Sequence, residues 1–382
     1  MRRRLLTAVA ATAVLGLAAP GLGRAATIRV INRDGAGEGF NDSTAAAPVG
    51  GNHGTTIGAQ RLIAFQYAAD RWGERLASSV EIRVGANFDP LPCDSNSVTL
   101  GQAGPVDMFR DFAGAPRANT LYAAALADAL AGVDMAPTHD DIDANFNSDF
   151  GTTCAFQGGW YYGLDGASSD DDSDFVTVVL HELAHGLGFI TLVDVDSGAR
   201  FNGFDDAFMQ FLVDTGTGKT FDEMTNVERR AATTATGDLR WNGPQVAAVS
   251  GALSSGVDAF GQVEIYAPPF AQQGSSLSHW STAVDPYQLL APFLMGPLHD
   301  VGLAEPALLD LGWTAQPAIA CAADCDGDGV VSIADLVIAV RIGLGEVGIA
   351  ACPAADPTGD GNVGIDELMA AVSAALDGCP TA

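Results

Sequence analysis

The chain is 382 residues long and 48% hydrophobic, enough to bury a substantial core and leave room for a smaller second module. Its 47 acidic residues outnumber 18 basic ones, which argues against nucleic acid as a partner and assigns most of the acidity to a solubilising surface. The longest apolar run, Leu5 to about Pro20, falls short of the ~20 residues that span a bilayer, so no membrane span is expected.

That run follows Arg2, Arg3 and Arg4 and precedes small residues at Gly23, Ala25 and Ala26, the three-part pattern of an export signal over residues 1–25. The expected location is outside the cell or in a periplasm, where six cysteines read as disulfides. Cys93 and Cys154 should form one bridge, contributing about 4 kcal/mol through the unfolded state. Cys321, Cys325, Cys352 and Cys379 should form two more, in any of three connectivities. Almost no chain separates the signal from the first strand, so no inhibitory pro-segment is expected.

Residues 27–32 (TIRVIN) read as a strand. Between Gly58 and Ser78, Leu62, Phe65, Ala69, Trp72 and Leu76 recur at helical spacing. VEIRVGANF alternates as a strand with Val80, Ile82 and Val84 on one face, and an alanine-rich helix is expected over Asn119–Gly132. DIDANFNSDF and GGWYYGLDG read as further strands or edge segments. Ser173 or Asp174 can then cap the helix that opens with FVTVVL. This order implies an α+β half over residues 26–314, followed by a short Pro and Ala linker at 315–320. From residue 321 to 382 two related units repeat with a period of 32 residues, Asp324 corresponding to Asp356, which marks a separate small module.

The segment HELAHGLGF carries the clearest chemistry. His181 and His185 are one helical turn apart, about 40° around the axis and roughly 6 Å along it, so both imidazoles can meet one zinc ion. Glu182 projects from the neighbouring face, placed to take the proton of a zinc-acidified water and pass it to a departing amine. Gly188 lets the helix stop and the chain turn. A catalytic zinc needs a third protein ligand, and the common pattern HExxHxxGxxH would put it at position 191, which is Thr191. His53 and His139 precede the helix and read as surface residues. His279, downstream in GSSLSHWS, is preferred to His299, and a carboxylate such as Glu228 is the remaining option.

HELAHGLGF, followed by SHWSTAVDPYQLLAPF and LLDLGW, resembles the leishmanolysin family of metzincins, over roughly residues 27–314. The resemblance implies His279 as third ligand, a twisted sheet with helices above a zinc cleft, and endopeptidase activity on protein or peptide substrates. The family's methionine floor beneath the zinc would fall at Leu290, with Met295 shortly after. The alternative is a weak or inactive extracellular scaffold protein anchored through its tail.

In the tail, Asp324, Asp326, Asp328, Gly329, Ser332 and Asp335 occupy positions 1, 3, 5, 6, 9 and 12 of an EF-hand loop. Asp356, Thr358, Asp360, Gly361 and Glu367 repeat the pattern, with Gly364 at position 9, where water can serve. Calcium is the expected ion. A loop and single helix, twice, resembles dockerin modules, which implies a small all-α domain and a cohesin-like partner; the framing cysteines depart from the usual dockerin.

Overall fold

The computed structural model describes residues 25–316, 321–326, 328–357 and 361–379. Residues 1–24 of the expected export signal (1–25), residues 317–320 of the linker, and the calcium-ligand candidates Thr358 and Asp360 lie outside them. The described residues form two compact units, the first up to Gln316 and the second from Cys321 on, and the architecture is mixed α+β.

In chain order, the first unit contains β1 (Ile28–Asn32), α1 (Ile57–Gly73), β2 (Leu76–Ala77), β3 (Ile82–Asp89), β4 (Gly101–Pro105), β5 (Met108–Phe109), β6 (Thr120–Ala123) and α2 (Ala124–Ala131). It continues through β7 (Ile142–Asn147), β8 (Gly159–Tyr161), β9 (Asp172–Asp174), α3 (Phe175–Gly186), β10 (Asp205–Asp206), β11 (Leu212–Asp214), β12 (Lys219–Thr220), α4 (Asn226–Ala232) and β13 (Leu239–Trp241). α5 (Pro244–Val249), β14 (Val263–Glu264), α6 (Ala304–Leu311) and β15 (Thr314–Ala315) complete it.

The main sheet has the order β1-β3-β7-β4, the first three strands parallel and β4 antiparallel at the edge. Ile82, Val84, Ala86 and Phe88 are buried, as the alternation of β3 requires. α1 and α3 pack on this sheet around an aromatic cluster of Phe65, Phe88, Phe146, Phe175 and Trp160. Trp72 Nε1 donates to the Leu180 carbonyl at 3.0 Å, fixing one helix to the other. A second sheet, β12-β11-β13-β14, is antiparallel throughout and supports the downstream half of the unit.

Several boundaries differ from those read in the sequence. α1 ends at Gly73, and Leu76 lies in β2, because Ala26 donates to the Leu76 carbonyl and β15 pairs with β2. Ala315, assigned to the linker, is thus part of the first unit, with Gln316 N donating to the Arg75 carbonyl at 2.8 Å. Val80 precedes β3, in a turn closed by the Ser78 hydroxyl. The expected helix over 119–132 begins only at Ala124, since Thr120–Ala123 is held as a strand between β5 and β10; tertiary pairing overrides alanine's helical preference.

Cys93–Cys154 is bridged as expected, and of the three connectivities open to the other cysteines the chain adopts Cys321–Cys379 and Cys325–Cys352. The second unit is helical among its described residues, with α7 (Ile333–Gly343) and α8 (Ile365–Asp377) packed over Ala323, Ala339, Ile342, Cys352, Val363 and Ala371. No helix among the described residues is long and apolar enough to cross a membrane.

Candidate metal centres

α3 is rich in valine, a weak helix former, and owes its shape to burial on nearly every side. Of the two cap candidates Asp174 acts: its Oδ1 accepts from the backbone N–H and the hydroxyl of Thr177, both at 2.7 Å. At the other end Gly188 adopts φ 122°, a conformation that side-chain-bearing residues rarely adopt, and the chain folds back so that Phe189 N reaches the Ala184 carbonyl.

That return stroke orients the first two imidazoles. His185 Nδ1 donates to the Phe189 carbonyl at 2.8 Å, and His181 Nδ1 donates to the Leu289 carbonyl at 2.7 Å. His279 enters on a segment stitched to its neighbours by Tyr266 N to the His279 carbonyl and Trp280 N to the Leu290 carbonyl. Its own Nδ1 donates to the Ser275 carbonyl at 2.8 Å. Leu277, two residues before, is fully buried with φ 76°, a strained conformation for a branched side chain that costs about 1–3 kcal/mol and is held by the surrounding packing.

With every Nδ1 proton committed to a carbonyl, all three Nε2 atoms present lone pairs, and these converge. His181 Nε2 lies 3.1 Å from His185 Nε2 and 3.1 Å from His279 Nε2. None has a hydrogen to share, so the contacts are repulsive unless a cation lies between them. Tetrahedral zinc at Zn–N distances of about 2.0–2.1 Å separates its ligand nitrogens by about 3.3–3.4 Å, close to what the triad provides. Burial, with the neighbouring His185 adding to it, pushes His181 down to about 3; burial pushes His185 to about 4, and His279 well below the ordinary range. The imidazoles are therefore neutral and ligand-ready at physiological pH.

Glu182 is buried beside the triad, and burial raises its carboxyl to about 8, opposed by the backbone N–H of Ala103. A Cβ on Gly101 would come within 3.0 Å of the Glu182 Cγ, which places the carboxyl against edge strand β4.

The other candidates lie elsewhere. His299 Nε2 is 2.9 Å from Asp174 Oδ1 and serves the cap of α3. His139 is exposed and pairs with Asp107, and His53 is exposed. Glu228 binds Lys219 and caps α4, interactions that lower it to about 2, whereas His279 joins His181 and His185 in one cluster. Met295 is 77% exposed whereas Leu290 is fully buried, which removes Met295 as a floor. Thr191, which the sequence showed only as a missing histidine, binds the Ser278 hydroxyl through its N–H and Asp206 through its own hydroxyl. Asp206 gave no signal in the sequence.

In the second unit, oxygens of Asp324, Asp326 and Asp328 lie within 4.8 Å of one another. Gly329 and Gly361 take φ 83° and 84°, the turn that position 6 requires, and each donates its N–H to the aspartate at position 1, Asp324 and Asp356. Position 9 donates to the acid at position 12 in both loops, Ser332 N to Asp335 and Gly364 N to Glu367 at 2.8 Å. Ser332 also donates its hydroxyl to Asp335 and caps α7.

No protein-family model matches the chain, and comparisons with curated proteins and with solved structures found no match either.

Proposed function

We propose that the first unit is a zinc-dependent endopeptidase of the leishmanolysin-like metzincin type and that the second is a calcium-binding, dockerin-like tail. The observation that carries the reading is the convergence of three proton-free Nε2 atoms beside a buried glutamate at the free edge of a sheet. His181, His185 and His279 would hold the ion, and Leu290 would floor the seat.

Bound there, zinc would supply the Lewis acidity to polarise a peptide carbonyl and acidify water. The chain's own residues do the rest. The Leu289, Phe189 and Ser275 carbonyls fix the rings and their tautomers. Among the described residues β4 is the edge strand of its sheet, so an extended peptide can add to it as a further strand beside Glu182. Glu182, buried and one residue from His181, is placed to take a proton as water attacks the carbonyl and to return it to the departing amine. Cleavage products of an unstructured protein, sequenced by mass spectrometry, should therefore reveal internal cuts. A zinc-loaded protein that cuts nothing would favour the alternative of an extracellular scaffold.

The paired loops would hold about two calcium ions per chain. A partner role for the tail is supported by a duplicated apolar stripe: Ile333, Val337 and Val340 on α7 and Leu344 at its C-cap are exposed, and Ile365, Met369, Val372 and Leu376, each 32 positions on, are exposed on α8. Such a surface suits a cohesin-like partner. Calorimetry of the full chain should register two calcium ions, reduced to one by Asp324→Ala combined with Asp326→Ala. Unchanged uptake in that variant would place calcium elsewhere.

A further inference from the structure

We propose that Thr191 and Asp206 form a brace that sets the spacing between His185 and His279, making them positioning residues of the metal seat; this rests on the reading of the triad as a zinc site. The stretch Phe189–Thr191 touches the supports of both ligands. At one end the Phe189 carbonyl holds His185 Nδ1 at 2.8 Å; at the other, Thr191 N donates to the hydroxyl of Ser278, the residue before His279, at 3.2 Å. A shift of this stretch moves two ligands that the sequence keeps far apart.

Asp206 is what holds the stretch still. Its Oδ2 accepts from the Thr191 hydroxyl at 2.9 Å and from Leu192 N at 2.7 Å, and its Oδ1 accepts from Met209 N at 2.7 Å. The residue itself is anchored in β10, paired with Leu121 of β6. Thr191, Asp206 and Ser278 are all buried, so no solvent replaces a lost donor, and a carboxylate left one donor short must rearrange its neighbours. At the position where the contiguous metzincin pattern supplies a histidine, the side chain points to Asp206 and supports the distant substitute.

The test measures metal rather than turnover. In the full chain, with calcium saturating the tail, zinc affinity is read by competition with a chromophoric chelator, and ligand geometry by the visible spectrum of the cobalt-loaded protein. Thr191→Val should weaken zinc about tenfold or more and shift the cobalt bands, as changes behind a ligand do. Ser278→Ala should move both readouts in the same direction and serves if the valine variant folds poorly. Thr191→Ser, which restores the hydroxyl, should return both to the parental values. Parental affinity and spectrum in the valine and alanine variants would overturn the brace, as would a serine variant as impaired as the valine one, since that assigns the effect to packing. A parent chain that binds no zinc at the triad is a separate result, and overturns the metal site together with its brace.

Discussion

Alanine in place of His279 is expected to release zinc and abolish peptide hydrolysis together. The triad would drop to two protein ligands, and because changes merely behind a ligand cost 10–100-fold in affinity, loss of the ligand should cost at least about 100-fold. His299→Ala provides the contrast. That ring binds the Asp174 cap and not the triad, so its removal should cost about 1 kcal/mol of stability and leave zinc content and activity intact. Metal analysis of the two variants after dialysis decides the matter. Retention by His279→Ala with loss by His299→Ala would reverse the assignment.

Glu182→Gln should separate the two losses that the ligand variant shows together: zinc stays, hydrolysis goes. Glutamine preserves the volume and the contact with β4 but can neither take nor return a proton. The rate should fall by about 10²–10⁴-fold, the range that a positioned acid or base contributes. Comparison at matched zinc content is essential, because a fall in both would make Glu182 a support of the ligands. Undiminished turnover would remove it from the chemistry altogether.

The parts of this account that the sequence made legible are those where local pattern and tertiary demand agree. The spacing in HELAH, the cap before α3 and the glycine after it each need only neighbouring residues: His181 and His185 come together on one helix, Asp174 of the two cap candidates caps it, and Gly188 takes a left-handed turn. The two acidic loops repeat one pattern, so a glycine in the left-handed turn and an acid at the loop's end recur 32 residues apart. What the sequence hid depends on contacts between distant segments. β6 reads as helix until β5 and β10 pair with it, and Leu76 reads as helical until Ala26 and β15 claim the chain. Leu290 and Met295 are both floor candidates in the sequence, and only the packing separates them: Leu290 is buried and Met295 exposed. The bent backbone at Leu277 and the tie from Asp206 through Thr191 to Ser278 are set by packing alone, and no local signal announces them.

The central claim is that the triad holds one zinc ion on which peptide cleavage depends. It is tested most directly by removing zinc with a selective chelator while calcium is kept saturating, then measuring cleavage of an unfolded protein before and after zinc is returned. The account predicts one zinc per chain at the triad, activity lost with the metal, and activity restored in proportion to zinc added back. Full cleavage by the zinc-free protein would contradict it, as would a fully zinc-loaded chain that cleaves nothing.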